Sequence, residues 1–217
     1  MYSTTWPNHL QHLESVLSTL KQHQLYTKLS KCNFGQEQIE YLRHIVSVRG
    51  VEMDQSKVAA IIQWPPPNSL KQLRAFLGLS GYDRRFIKQY ASLAKPLTNL
   101  LKKDSFLWTE SSQASFDTLN HAITTAPVLI LPNFSQPFVL EPDASGVAIG
   151  AVLSQHNHPI AYFSKKLSPR TQMQSAYVSE LYALTDAISK FCHYLLGHLF
   201  IIRTDKQALR HLCQQTN

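Results

Sequence analysis

The chain has 217 residues, of which 44% are hydrophobic, so it is long enough to bury a core. Its 21 Lys and Arg exceed its 14 Asp and Glu, and the net charge of +7 favours polyanions as partners, although a solvated basic surface with no specific partner explains it equally well. Three widely spaced cysteines without a CxxC pair, and the lack of an apolar run of about 20 residues, argue against disulfide-rich secreted proteins, structural zinc sites and membrane spans.

The charge is concentrated in the first half of the chain. Residues 1–110 hold 14 basic and 8 acidic side chains, whereas residues 111–217 hold 7 and 6. The first half is therefore the better candidate for contacts with phosphate groups. The cysteine pattern and the lack of a leader segment predict an intracellular protein, without a choice between cytoplasm and nucleus.

The first half is predicted to begin with a helix capped by Asn8, in which leucines recur at spacings of three and four. Two short strands over 25–34 and 39–48 are expected to form a hairpin. A helix over 55–64 should end at the proline run 65–67, because proline lacks the amide donor that a helix interior requires.

Basic side chains accompany aromatic positions in the next part of the chain. Ser69 is predicted to cap a helix whose pattern Gly78 and Gly81 interrupt, and an apolar stripe with a basic flank runs from Tyr82 to Tyr90. This combination suits a helix lying on a nucleic-acid backbone, whereas charges that merely face water are the alternative. The candidate phosphate contacts are Lys71, Arg74, Arg84, Arg85 and Lys88.

The second half has a different pattern and follows a proline-punctuated boundary at 126–138. Three consecutive strands precede the strongest helix pattern of the sequence, over 175–196, and a fourth strand and another helix follow it. The predicted strands are 138–141, 148–154, 160–164 and 199–204, and further helices are predicted over 113–124 and 207–213. Strands followed by helices, with a crossover back to the sheet, indicate a mixed α/β layer fold.

Three acidic residues stand where solubility does not explain them. Asp143 ends the first of these strands, Asp205 ends the fourth, and Glu180 lies within the apolar stripe of the long helix, where a carboxylate is costly unless paired, protonated or bound to a cation. If the crossover returns the fourth strand beside the first, the three can converge as hard oxygen ligands for Mg²⁺ or Mn²⁺, which can promote phosphodiester hydrolysis. Alternatively, Glu180 pairs with a cationic side chain and the aspartates cap turns or helices.

Long segments of the sequence resemble one family, in order, along almost the whole chain. In the second half, the segments FVLEPDASGVAIGAVLSQ, PIAYFSKKLSPRTQ, SELYAL and HYLLGHLFIIRTD look like the ribonuclease H (RNase H) domain of gypsy-type long-terminal-repeat retrotransposons. In the first half, LYTKLSKCNFGQEQIEYLRHIVS, FLGLSGYDRRFIKQYASLAKPLTNLLKK and FLWTE resemble the end of the same elements' reverse transcriptase.

This resemblance implies an architecture of α+β and α/β parts. Residues 1–53 would be the end of the polymerase palm, 54–104 a helical thumb and 105–133 a connecting segment. Residues 134–217 would be an RNase H-like mixed sheet with helices, truncated before the fifth strand. The thumb would hold an RNA–DNA hybrid or a duplex by its phosphates.

The resemblance also implies roles for single residues. Asp143, Glu180 and Asp205 would be catalytic ligands of Mg²⁺ or Mn²⁺ in cutting the RNA strand of a hybrid. The hairpin that supports the primer end would contain Tyr41, Leu42, Arg43 and His44.

Departures from the family put activity in doubt. The polymerase's Tyr-x-Asp-Asp would precede residue 1 and the fourth RNase H carboxylate would follow residue 217, so we expect a fragment without the other parts of its polyprotein. Arg43 replaces a glycine, Asp83 an aromatic residue, and Pro142 a threonine, where it is expected to delete a ladder hydrogen bond and disturb Asp143. The alternatives are a catalytically dead, nucleic-acid-binding remnant and a product too incomplete to fold stably.

Overall fold

The structure is a computed structural model, and it describes residues 3, 5–102 and 106–204. The chain divides into a small unit, Met1–Ile39, and a large unit, Glu40–Asn217. Across the described ranges, the helices are all too short or too polar to cross a membrane.

The small unit contains helix α1 (Trp6–Gln22) and a 3-10 helix (Leu29–Lys31). Thr5, not the predicted Asn8, caps α1, because the Thr5 side chain accepts a hydrogen bond from the Asn8 amide. The predicted strand over 25–34 is wrong. Leu25, Tyr26 and Leu29 are all more than half exposed, so this segment has no buried face to stabilise a strand.

Three short strands form the first sheet, in the order β1-β2-β3. They are β1 (Gln38–Tyr41), β2 (His44–Ser47) and β3 (Gly50–Met53). The single strand predicted over 39–48 is divided by a turn at Leu42 and Arg43, whose φ angles are 48° and 68°. Two consecutive left-handed residues are typical of a tight hairpin turn, but sequence reasoning expects Asn or Gly there.

Five helices follow in the first half of the large unit. They are α2 (Gln55–Ile62), α3 (Leu70–Tyr82), α4 (Tyr90–Leu93), α5 (Lys95–Asn99) and α6 (Glu110–Thr124). The Ser69 cap is confirmed, since its side chain accepts from the Gln72 amide at 3.4 Å. Gly78 and Gly81, which interrupt the apolar pattern, lie within α3.

The stripe predicted from Tyr82 to Tyr90 is not one helix. A 3-10 turn (Arg84–Phe86) is followed by Ile87 in an extended conformation and then by α4. Gln89 has φ +56°, a left-handed conformation that a continuous helix excludes. Phe86, Ile87 and Tyr90 are nevertheless buried.

The second sheet has the strand order β6-β5-β4-β7. Its strands are β4 (Phe138–Ala144), β5 (Ala148–Gln155), β6 (His158–Lys166) and β7 (Phe200–Ile202), and its helices are α7 (Pro169–Gln172) and α8 (Ala176–Leu195). β7 is parallel to β4, whereas β4, β5 and β6 are antiparallel neighbours. The predicted mixed sheet and long helix are confirmed, and the helix predicted over 207–213 lies outside the described residues.

Two buried apolar clusters stabilise the large unit. The first joins α2 to α6 around Leu73, Phe76 and Leu119. The second packs α8 against one face of the β4–β7 sheet, with Phe138 and Phe191 among its members. The sheet is therefore covered by α8 on one face, while its other face is available for residues of the first half.

Candidate functional site

The C-terminal ends of β4 and β7 and the first turns of α8 lie at the same end of the second sheet. β4 and β7 run parallel from the pair Phe138↔Phe200 to Leu140↔Ile202. The rings of Phe138, at the start of β4, and Tyr194, near the end of α8, have centroids 6.3 Å apart. The helix therefore runs antiparallel to β4, and the predicted crossover that returns the fourth strand beside the first is confirmed.

Asp143 projects from the sheet face opposite to α8. Phe138 and Leu140 pack in the cluster that contains α8, and side chains alternate along a strand. The Asp143 side chain is exposed and lines a cavity of about 480 Å³ together with Lys88 and Arg203. Glu141 also lines this cavity, and its Oε1 lies 3.0 Å from Arg203 Nη1, so two cations and two carboxylates face one space. Because Arg203 is already paired, Lys88 is the cation there that can attract a phosphate group.

A hydrogen bond fixes the Asp143 carboxylate. Gln89 Nε2 donates to Asp143 Oδ2 at 2.7 Å, although the two residues lie 54 positions apart in the sequence. Gln89 keeps its left-handed backbone at this contact. Sequence reasoning missed Gln89, because neither its residue type nor its spacing indicates a role.

Of the other two predicted metal ligands, the structure describes Glu180 but not Asp205. Glu180 lies in the second turn of α8 and is only 4% exposed, as its position in the apolar stripe predicted. Asp205 lies outside the described residues. In the described ranges no three His, Cys, Asp or Glu side chains are grouped to hold a metal ion. Because the described residues include Asp143 and Glu180 but not Asp205, the convergence of the three carboxylates stays a prediction.

Pro142 does not interrupt the pairing of β4 with β5. Pro142 pairs with Ala151, and Asp143 beyond it pairs with Gly150, so the strand continues in register past the proline. The register of β4 with β5 is therefore kept, and the displacement of Asp143 by Pro142 stays a prediction.

Proline has no backbone N–H, and the hydrogen bond that Pro142 cannot donate would lie on the other side of β4, toward β7. Phe138 N donates to Leu199 O at 3.1 Å, and Arg203 N donates to Leu140 O at 2.9 Å. Because alternate residues of a strand direct their backbone groups to the same side, position 142 would donate next, to Arg203 O. The lost hydrogen bond coincides with the end of β7 at Ile202.

The 84–91 segment lies on the sheet face that carries Asp143. Arg84 Nη2 donates to Ser164 O at 3.2 Å, and the Ala91 amide donates to Ser164 Oγ at 3.0 Å. With the Gln89 bond, three hydrogen bonds connect this segment to β6 and β4. The predicted basic flank thus lies beside the candidate carboxylate.

The turn at Leu42 and Arg43 contacts the end of α3. Tyr82 Oη donates to Leu42 O at 2.8 Å, and the Arg43 guanidinium lies 5.2 Å from the centre of the Tyr82 ring. The His44 ring stacks on the same tyrosine, with centroids 5.5 Å apart. These contacts hold the hairpin residues Leu42, Arg43 and His44 against α3.

Asp83 is part of this contact and is 4% exposed. Its Oδ1 lies 3.1 Å from His44 Nε2. Burial raises the pKa of Asp83 above its ordinary value, while the His44 hydrogen bond and the nearby His44 and Arg43 charges act in the opposite direction. Arg43 and Asp83, both departures from the family pattern, therefore lie in one connected cluster.

The candidate phosphate contacts have different surroundings. Lys71 and Arg74 are exposed one turn apart on α3, and Lys88 is exposed at the cavity. Arg85 lies over the Phe86 ring at 5.8 Å, and Arg84 makes the bond to β6 described above. Arg84 and Arg85 are exposed as well, so all five candidate charges are accessible.

Comparison with known families gives a match over the second half. The family described as the RNase H-like domain found in reverse transcriptase matches residues 108–202. The matched region contains β4 to β7 and α8, together with Asp143 and Glu180.

The chain is similar in sequence to known proteins along almost its whole length. It is 42% identical over 214 residues, 98% of its length, to the retrovirus-related Pol polyprotein from transposon 297 of Drosophila melanogaster. The chain spans 20% of that polyprotein's length. It is also 50% identical over 132 residues to an uncharacterized mitochondrial protein of Arabidopsis thaliana, covering 60% of this chain and 84% of that protein.

Solved structures share the fold. The foamy viral protease-reverse transcriptase dRH in complex with double-stranded DNA superposes with a TM-score of 0.85 at 20% identity, covering 100% of this chain and 39% of that chain. The foamy viral protease-reverse transcriptase in complex with an RNA/DNA hybrid gives 0.82 at 21% identity, covering 98% and 30%. The chain therefore shares the fold of these structures, its residues 108–202 match the RNase H-like domain found in reverse transcriptase, and almost its whole length is similar to part of a retrotransposon Pol polyprotein.

Proposed function

We propose that this chain is the reverse transcriptase and RNase H portion of a gypsy-type Pol polyprotein, and that it binds RNA–DNA hybrids and duplexes. Residues 1–53 are assigned to the end of the palm, 54–104 to the thumb, 105–133 to the connecting segment and 134–217 to the RNase H-like domain. The observation that supports binding most directly is that the exposed Lys88 lines a cavity beside Asp143.

The proposed reaction of the second half is hydrolysis of the RNA strand of a hybrid. Asp143, Glu180 and Asp205 are the proposed ligands of Mg²⁺ or Mn²⁺, which would supply charge neutralisation and activation of water. Lys88 would attract the phosphate backbone into the cavity, and Gln89 would orient the Asp143 carboxylate. The sequence contains no Tyr-x-Asp-Asp, so the proposal for the first half is restricted to binding.

Hydrolysis is tested with a hybrid whose RNA strand is labelled, in buffer containing Mg²⁺ or Mn²⁺. We expect cleavage by the wild type and its loss in Asp143→Asn. Asp117→Asn is a matched control, because Asp117 is exposed on α6 and its carboxylate accepts a hydrogen bond from Gln113. Absence of cleavage by a cooperatively folded wild type would exclude the enzymatic proposal.

A nucleic-acid-binding protein without catalysis is the second candidate, favoured by the exposed basic side chains of Lys71, Arg74 and Lys88. It predicts hybrid and duplex binding that weakens steeply with salt and that Lys88→Ala reduces. Binding without any cleavage would select this candidate. Salt-insensitive binding would contradict both.

A further inference from the structure

Three lysines gather around Asn99, at the end of α5. Lys166 Nζ, at the end of β6, donates to Asn99 Oδ1 at 2.9 Å. The Lys102 amide donates to Asn99 O at 3.2 Å. Lys95 lies four residues before Asn99, and residues four apart share one side of a helix. Lys95, Lys102 and Lys166 are here named the α5 lysine cluster.

The charge of this cluster is not offset within the part of the chain that the structure describes. The ion pairs there involve His44, Arg49, Lys165 and Arg203, and none includes a member of the cluster. Burial, followed by the charges of Lys102 and Lys95, lowers the pKa of Lys166 below its ordinary value. Like charges held together repel one another, so this arrangement favours a bound polyanion.

The neighbouring Lys165 has a different environment. Its Nζ lies 2.6 Å from Asp186 Oδ2, so its charge is already paired. Two consecutive lysines at the end of β6 therefore differ in whether a carboxylate compensates them.

We propose that the α5 lysine cluster binds backbone phosphates of a nucleic-acid duplex, at a place separate from the Asp143 cavity. The inference deepens the proposed nucleic-acid binding and rests on it. The cluster combines the turn after α5 with the end of β6, so its charges come from both the thumb-side helices and the RNase H-like sheet. None of its three lysines lines the cavity at Asp143.

The surroundings of the cluster favour a polymer over a small anion. Lys102 and Lys166 are exposed, and Lys95 is half-buried, so the ammonium groups are presented at the surface. Lysine ammonium groups act as hydrated point charges and do not impose the planar geometry of an arginine fork. Several such charges suit successive phosphates of a duplex and make no selection of base sequence.

The salt dependence of binding tests the proposal. Fluorescence anisotropy with a labelled RNA–DNA hybrid, and separately with double-stranded DNA, gives the slope of log K against log salt concentration. Each lost phosphate contact reduces the steepness of that slope by about 0.9. We expect Lys166→Gln to reduce it by about 0.9, and the change of all three lysines to Gln to reduce it by roughly 2–3.

Lys165→Gln is the matched control, because it changes the net charge equally at the adjacent position. It should leave the slope near the wild-type value, and Lys166→Arg should keep the wild-type slope. Circular dichroism during urea denaturation shows whether each variant folds.

The outcomes separate this inference from the proposed function. Wild-type binding with equal slopes for folded Lys165→Gln and Lys166→Gln would overturn the cluster proposal while nucleic-acid binding stands. If Lys166→Gln reduces the slope with both the hybrid and double-stranded DNA, the cluster binds the phosphate backbone that they share. If it reduces the slope with one of them, the cluster prefers the helix geometry of that nucleic acid. No binding by the wild type would overturn both proposals.

Discussion

Gln89, whose side chain donates a hydrogen bond to the Asp143 carboxylate, has a strained left-handed backbone conformation. A left-handed conformation in an L-residue other than Asn or Asp is unfavourable by roughly 1–2 kcal/mol. The Gln89 to Asp143 bond and the bonds of Arg84 and Ala91 to Ser164 keep the backbone in this state. The residue therefore positions Asp143 at the expense of local stability.

Gln89→Gly should be more stable than Gln89→Ala by roughly 0.5–1 kcal/mol, because relief of the strain outweighs the larger entropy of the unfolded chain. Both variants lose the bond to Asp143, so both should cut hybrid less well than the wild type if the proposed hydrolysis occurs. Urea denaturation measures the stability difference. Equal stability of the two variants would mean that the backbone at position 89 relaxes once the side chain is removed.

Asp83 gives a pH-dependent contribution to stability. Its pKa is raised in the folded protein, so the stability that its neutral form contributes is fully present below the unfolded pKa. That contribution is lost as the pH rises through the folded pKa. The buried carboxylate is then ionised, and His44 and Arg43 offset only part of the penalty.

Asp83→Asn removes this titration while keeping an oxygen that can accept from His44. As the pH rises above the ordinary range of carboxyl pKa values, the wild type should lose stability relative to the variant, as measured by urea denaturation at each pH. A difference that moves in favour of the wild type as the pH rises would mean that attraction to His44 and Arg43 exceeds the effect of burial.

The elements of the second half are predictable from the sequence to a large extent. Alternation and turn residues indicated β4, β5 and β6, and the spacing of apolar residues indicated α8, because those patterns reflect burial against one partner surface. The strand expected over 25–34 failed for the same reason, since its apolar side chains remain exposed.

The site was only partly predictable. Asp143 and Glu180 stand out because a carboxylate is unusual at a strand end or in an apolar helix stripe. Gln89, and the joining of Arg43 to Asp83 through Tyr82 and His44, depend on contacts between distant parts of the chain. Such contacts leave no periodic signal in one sequence.

The end of β7 depends on a single residue of its neighbouring strand. Pro142→Thr should restore the donor toward Arg203 O and extend the parallel pairing by one hydrogen bond. Such a bond contributes about 0.5–1.5 kcal/mol, from which the lost rigidity of proline subtracts part. Hydrogen exchange should show protection of the amide introduced at position 142.

The amide of Asp143 provides the internal control, because its pairing with β5 does not depend on the proline. Its exchange rate should stay nearly unchanged in Pro142→Thr. A large change at Asp143 together with an unprotected amide at 142 would contradict the assignment of the missing hydrogen bond to β7.

Across the whole large unit, the proposed thumb and RNase H-like regions share one body of structure. The first apolar cluster includes Tyr162 of β6 among its partly buried members, and Ile130 N donates to Pro159 O at 2.9 Å. These contacts and the Ser164 bonds connect the two clusters. A binding surface that combines α5 with β6 requires such a connection.

We therefore expect the two clusters to unfold together. Trp64 and Trp108 pack against the first cluster, so in a Trp6→Phe background tryptophan fluorescence reports on that region, whereas Leu140→Ala opens a cavity in the second cluster. The substitution should destabilise by roughly 2–5 kcal/mol and shift the urea midpoint seen by Trp fluorescence as much as that seen by circular dichroism. Leu107→Ala, at a side chain 71% exposed, should leave both midpoints nearly unchanged. If Leu140→Ala moved the circular dichroism transition and left the fluorescence transition in place, the two regions would be independent, and the lysines of α5 and β6 would not form one fixed surface.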